Sequence, residues 1–342
     1  MSGATHRSGL LAGGNFLIDH VKVIDSWPAQ DALANVLSQN RGNGGGPYNV
    51  LKDLANMETD FPLAAAGLVG KDDNGAFIKA DLDANGIDSS RIQSTDAAST
   101  SFTDVMTEQN TGRRTFFHSR GANALLDTGH FDFSASNHRL FYLGYLMLLD
   151  TLDALQSDGS NKFATVLKAA KESGHVTIAD AVSTDGKDYA ASIKACLPYL
   201  DYLLLNEWEA RKATGKQLFC KDRPQWDQFR RAAQQLHDEG ATRTIIIHFP
   251  SGAYALHRDG SEIIQGSVKL PPTQIVGAVG AGDAFCAGLL SGIHHRLPIQ
   301  ESLKRAACVA ASSLQGSTSS NSIGSLESCL ALGLEYGFQP LV

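Results

Sequence analysis

Cysteine is sparse in this 342-residue chain. The five present, Cys196, Cys220, Cys286, Cys308 and Cys329, are scattered without CxxC spacing, which fits neither a disulfide framework nor a zinc site. Concentrated positive charge is also missing. The formal net charge is -7 and no long Lys/Arg run breaks it, which argues against a nucleic-acid backbone or an anionic membrane as main partner. No apolar run approaches membrane-spanning length, and the opening Met-Ser-Gly-Ala-Thr-His-Arg-Ser-Gly reaches Gly13-Gly14 too soon for a signal peptide. Internal repeats and low-complexity linkers are absent, as are a Gly-Lys-Ser/Thr phosphate loop, a His-Glu-x-x-His pair and a Gly-x-Ser-x-Gly elbow. A cytoplasmic enzyme built as one α/β domain over residues 1–342 is the expectation, since 43% hydrophobic and 19% charged residues can supply a large core.

What the chain does have is Val276-Gly-Ala-Val-Gly-Ala-Gly-Asp-Ala-Phe285, a glycine-rich loop running into an apolar helical pattern. Crowded N–H groups at Gly280, Ala281 and Gly282, added to the positive end of the following helix, make an anion site suited to phosphate. A carboxylate there would repel the guest. Asp283 makes sense if it takes the proton of a hydroxyl that attacks the phosphorus, so the loop reads as phosphoryl transfer to an alcohol. The same residues also read as a simple helix start with Asp as its N-cap.

Apolar runs at Leu140–Leu143, Val176–Ala179, Tyr202–Leu205 and Thr244–His248 alternate with helical patterns at Phe163–Ser173, Trp226–Glu239 and Glu301–Leu314. That rhythm predicts a parallel sheet covered on both faces, with ligands beyond the carboxyl ends of its strands. Phe16–Trp27 and Thr100–His118 instead alternate without an attached helix, and Asn110-Thr-Gly112 marks a turn in the second. They read as a small antiparallel flap, or as edge strands of the main sheet. A flap able to cover substrate and exclude water suits phosphoryl transfer.

Other constellations are weaker. Gly44-Gly45 and Asn49 precede a helical stretch at Val50–Met57 and could present polar groups to a polyol; Asp19, ending an apolar segment, could clamp two sugar hydroxyls. Asn206 and Glu209 lie on one helical face and suit either a hydrated Mg²⁺ or a capping box. Arg113, Arg114, His118 and Arg120 sit in the flap segment, where they meet either an acidic group or solvent.

Taken in order, Asp19, Gly44-Gly45 with Asn49, Gly67-Leu-Val-Gly70 with Asp72 and Gly75, Leu82 with Gly86-Ile87, Asn206 with Glu209, and Gly280-Ala-Gly-Asp283 resemble the ribokinase/PfkB family of sugar kinases from about Leu11 to Ser317. The resemblance implies a Rossmann-like αβα sandwich with a small β-sheet lid at residues 15–27 and 100–118. It implies transfer of the γ-phosphoryl of ATP to a sugar hydroxyl, with Asp283 as base and the amides of Gly280, Ala281 and Gly282 as anion hole. It gives Asp19, Gly44, Gly45 and Asn49 to the sugar, Asn206 and Glu209 to Mg²⁺ and the ATP phosphates, and Gly252 and Ala253 to the nucleotide. Two segments depart from the family. Gly277-Ala278 replaces Asp-Thr, which leaves potassium dependence open, and His248-Phe249-Pro250 replaces Thr-x-Gly, which leaves the donor open. These departures motivate an alternative, a sugar sensor without catalysis. A nucleoside acceptor, stacked on Phe16, Tyr48 or Phe102, is another. The outer face of the lid is expected to pair with a second copy.

Overall fold

The computed structural model describes residues 7–185, 188–241, 243–316 and 320–341; the first six residues of the opening segment discussed above lie outside them. Among the described residues the strands are β1 (Leu10–Gly14), β2 (Leu17–Ile24), β3 (Val36–Gly44), β4 (Leu63–Gly70), β5 (Ile87–Thr95), β6 (Phe102–Glu108), β7 (Arg114–Ser119), β8 (Leu140–Leu146), β9 (Val176–Ala181), β10 (Tyr202–Asn206), β11 (Phe219–Cys220), β12 (Arg223–Pro224), β13 (Thr244–Phe249), β14 (Gly252–His257) and β15 (Glu262–Gly266). The helices are α1 (Gly46–Asn56), α2 (Asp73–Ala84), α3 (Asp150–Asp153), α4 (Lys162–Glu172), α5 (Tyr189–Cys196), α6 (Glu207–Thr214), α7 (Trp226–Asp238), α8 (Ala281–His294), α9 (Ile299–Leu314) and α10 (Leu326–Tyr336).

Nine strands form one sheet in the order β15-β14-β13-β10-β9-β8-β1-β4-β5. From β13 to β5 every pairing is parallel, and β14 and β15 add an antiparallel edge. The central strands are buried on both faces, which is why they read as unbroken apolar runs rather than alternating ones. One hydrophobic core lies under α4, α5, α6 and α7 and contains Phe141, Phe163 and Phe229. The other, on the opposite face, joins α1, α8 and α9 through Leu51, Leu290 and Val309.

The flap is a separate four-stranded sheet in the order β3-β2-β6-β7, so the edge-strand reading is set aside. It is mixed rather than antiparallel as expected, because β2 and β6 are its parallel centre, flanked by antiparallel β3 and β7. Asp72 fastens its root. That carboxylate caps α2 by accepting from Gly75 N at 2.8 Å, and also accepts from Thr100 N at 2.7 Å, two residues before β6 begins. On the other side Asn43 of β3 and Tyr48 of α1 both donate to Asp81 of α2, at 3.1 and 2.6 Å.

Candidate active site

Five central strands end near one another: β1 at Gly14, β8 just past Tyr145, β9 just past Asp180, β10 at Asn206 and β13 just past His248. Their carboxyl ends, the N-terminus of α8 and the inner face of the small sheet surround the site, where an α/β sheet is expected to bind its ligand.

Gly280 caps α8 with φ 78°, a left-handed conformation glycine adopts without strain. Asp283 therefore stands in the first turn and is not the cap, so the simple N-cap reading does not hold. Its carboxylate is buried and engaged on both oxygens. Asn49 Nδ2 donates to Oδ2 at 2.8 Å and the Tyr145 phenol donates to Oδ1. Burial pushes its pKa up to about 6, against the pull of those two hydrogen bonds.

Asp19 faces the same space from β2. Burial lifts its pKa to about 6 as well, with Thr103 of β6 lowering it and the nearby Asp283 raising it. Gly44 is the residue that lets this carboxylate in, since a Cβ there would stand 2.3 Å from Asp19 Oδ2. Gly45 caps α1 directly behind it. Asp19, Gly44, Gly45, Asn49 and Asp283 thus come together.

The flap residues separate. His118 shares a face with Asp19 and bonds the Thr103 hydroxyl through Nδ1 at 3.0 Å. Arg113 and Arg114 line a different hollow at the lid tip beside Trp27, and Arg120 pairs with Asp150 at 3.2 Å. Stacking of a base on Phe16, Tyr48 or Phe102 is not supported either. Phe16 and Tyr48 are core residues, the Tyr48 hydroxyl being spent on Asp81. Phe102 alternates to the face opposite Asp19 and packs on His20.

A cavity of ~510 Å³ opens on the other side of the α8 loop, lined by Gly252, Val268, Ala278, Phe285 and Leu314 among others. Its walls are mostly apolar, as for a flat heterocycle. Gly252 lies on that wall. Ala253, the next residue of β14, is fully buried behind it and pairs with His248, which lines the same cavity. A second cavity of ~290 Å³ holds Tyr145, Asp180, Ser183, Glu209 and Asp283. Asn206, His248 and Gly282 line both, so the two spaces meet at the head of α8.

Asn206 and Glu209 form the capping box of α6. Glu209 Oε2 accepts from Asn206 N at 2.8 Å, and Oε1 accepts from Ser183 Oγ and Asn206 Nδ2, each at 2.9 Å. Burial still pushes Glu209 up to about 7. Asp180, which sequence reasoning did not single out, faces the same cavity. Tyr142 donates to one of its oxygens at 2.7 Å and the other has no partner; burial holds its pKa well above the usual carboxylate range. No group of three or more His, Cys, Asp or Glu among the described residues could hold a metal directly. The hard oxygen donors suit instead a hydrated Mg²⁺, which needs few protein carboxylates.

Comparison with known proteins agrees with this geometry. The family described as pfkB family carbohydrate kinase matches residues 12–325. An ATP-dependent ribose-1-phosphate kinase of Halopiger xanaduensis is 25% identical over 283 residues, 82% of this chain and 83% of its own. Adenosine kinase 1 of Arabidopsis thaliana is 34% identical over 117 residues, 34% of this chain and 33% of its own. Among solved structures, Arabidopsis thaliana ribokinase complexed with ribose and ATP superposes with a TM-score of 0.76 at 22% identity, covering 95% of this chain and 98% of that one.

Proposed function

The chain belongs to the pfkB family of carbohydrate kinases, ATP-dependent phosphotransferases with an alcohol acceptor, and from that premise we propose how its own residues divide the reaction. Asp283 is the base. It takes the proton of the acceptor hydroxyl as that oxygen attacks the γ-phosphorus of ATP and the bond to the β-phosphate oxygen breaks, releasing ADP. The amides of Gly280, Ala281 and Gly282 receive the charge on the transferring group, and the work is chiefly positioning and electrostatics. The observation that carries this reading is Asp283 buried in the first turn of α8, beside the meeting point of the two cavities.

Asp19, Gly44, Gly45 and Asn49 hold the acceptor, and the adenine enters the apolar cavity beside Gly252. Asn206 and Glu209 would hold a hydrated Mg²⁺, with the bare oxygen of Asp180 facing the same space; the ion would offset phosphate charge. Gly277-Ala278 offers no side-chain oxygen to K⁺, and assay with and without the ion decides whether turnover depends on it. The local similarity to an adenosine kinase supports a nucleoside as the second acceptor class, with stacking partners other than those named from sequence.

No helix among the described residues is long and apolar enough to cross a membrane. All five cysteines are free, which supports a cytoplasmic location, to be checked by fractionation. The small sheet exposes Val36, Leu37, Phe116 and Phe117, and the β2–β3 connection exposes Trp27 and Leu33, Trp27 stacking on Phe117; these apolar side chains support a homodimer through the lid, which sedimentation at a single monomer mass would reject.

The deciding experiment is ADP release with Mg·ATP across pentoses, hexoses, keto-deoxy acids and nucleosides, with and without K⁺. Turnover on one acceptor class is expected, falling by several orders of magnitude in Asp283→Asn with the fold intact. Near-normal turnover in that variant would remove Asp283 from the mechanism.

A further inference from the structure

Both oxygens of Asp283 are occupied before any acceptor arrives, and the stronger constraint comes from a residue no motif marks. Tyr145 lies in β8, and the chain builds a seat for its ring. Gly46 opens α1 with its Cα against the ring face, where a Cβ would stand 2.6 Å from a ring carbon. Asn15 Oδ1 accepts from Tyr145 N at 3.1 Å and so holds the backbone behind the ring. From that seat the phenol donates to Asp283 Oδ1, opposite the Asn49 amide on Oδ2.

Resting on the reading of Asp283 as the base, we propose that Tyr145 is a positioning residue: its hydroxyl fixes the carboxylate's orientation and keeps it ionised, so that a remaining lone pair meets the acceptor hydroxyl. A carboxylate offers about four lone-pair sites, and the two hydrogen bonds leave room for that third contact. Burial and the neighbouring Asp283 push the Tyr145 phenol far above its ordinary range, so it remains a donor.

The surroundings make this necessary. Titratable groups turned toward Asp283 are Asp19 of the small sheet, Asp53 of α1, Tyr142 of β8, Asp180 of β9 and Cys286 one turn further along α8. Glu209 of α6 and His248 of β13 line the same cavity. None of these is a cation at neutral pH, since burial drops His248 to about 4. With no cation beside Asp283 among the described residues, the hydrogen bonds from Tyr145 and Asn49 are what oppose its burial.

Tyr145→Phe keeps the ring and its seat and removes the one donor. The acid limb of its kcat/KM profile is expected to move up by about one pH unit, a tenfold loss on that limb, with little loss above pH ~8 and KM for ATP unchanged. In protein labelled with ¹³C at the aspartate carboxyls, with Asp283 assigned through Asp283→Asn, the Asp283 titration midpoint should rise by the same amount. An unmoved midpoint and profile would overturn the proposal. So would a pH-independent loss accompanied by a higher acceptor KM, which would make the phenol a substrate contact. The carboxyl titration needs no turnover. A wild-type enzyme silent on every acceptor would therefore defeat the kinase assignment of Asp283 while leaving Tyr145's hold on it separately decided.

Discussion

A buried carboxylate must satisfy two opposed requirements, since it has to ionise to act as a base and burial resists ionisation. At Asp283 the conflict is resolved by packing as much as by charge. Gly46 is part of that packing, because any side chain there intrudes on the Tyr145 ring. Gly46→Ala should leave a folded protein whose kcat is lower by about a hundredfold, the cost of a small misplacement in a preorganised site. Steady-state kinetics beside a melting curve checks this: normal kcat would mean the ring relaxes without moving the base. Asp283 was legible because Gly-Ala-Gly-Asp joins anion-binding loop and carboxylate within four residues. Tyr145, Asn15 and Asp180 were not legible, because each is a lone polar residue at a strand end that matters only through a partner distant in sequence.

Among elements, the main-sheet strands that sequence identified were β8, β9, β10 and β13, short apolar runs between helical patterns, and the alternating flap segments held β2, β6 and β7. Those it passed over have other compositions. β4 is Leu-Ala-Ala-Ala-Gly-Leu-Val-Gly, poor in residues that favour strands, and is extended because it lies between β1 and β5. β3 is largely polar and exposed and owes its conformation to pairing with β2. α6 presents a different problem, because its start is at once a capping box and a candidate Mg²⁺ site, and both readings are compatible with the geometry. Glu209→Gln separates them. Glutamine at this position keeps an acceptor for Asn206 N and removes the charge that burial resists, but sets its NH2 against the Asn206 Nδ2 donor, so melting temperature should fall only slightly. The Mg²⁺ concentration for half-maximal turnover should increase about ten- to a hundredfold, the range for loss of a group supporting a metal site. A destabilised variant with unchanged Mg²⁺ dependence would leave Glu209 only its structural role.

For the whole molecule, the collected acids set a pH dependence whose sign follows from where their protons sit. Burial lifts Asp19 and Asp283 to about 6 and Asp153 and Glu209 to about 7, from ordinary values of 3.8 for the aspartates and 4.5 for the glutamate. Each raised group binds more proton in the folded than in the unfolded state between its two values. Stability therefore falls as pH rises through that interval. His175 and His248 act oppositely, having been lowered by burial to about 4 from 6.5, but that contribution is complete by pH ~6.5. Above it Asp153 and Glu209 act together with Asp53 and Asp180, which burial holds well above the usual carboxylate range. The ligand-free protein should lose melting temperature steadily from pH ~6.5 to ~8. Asp153→Asn, at a carboxyl with one oxygen bonded to Leu149 N and the other unpartnered, should flatten that decline without touching the site. Mg·ATP should oppose it, because a bound cation rewards ionisation of Glu209, one of the acids responsible for the decline. A flat profile in the ligand-free protein would mean that Asp153 and Glu209 ionise as freely folded as unfolded. The cavity would then be wetter and more open than its packing suggests, and the case for a site held under electrostatic tension until its ligands arrive would fail with it.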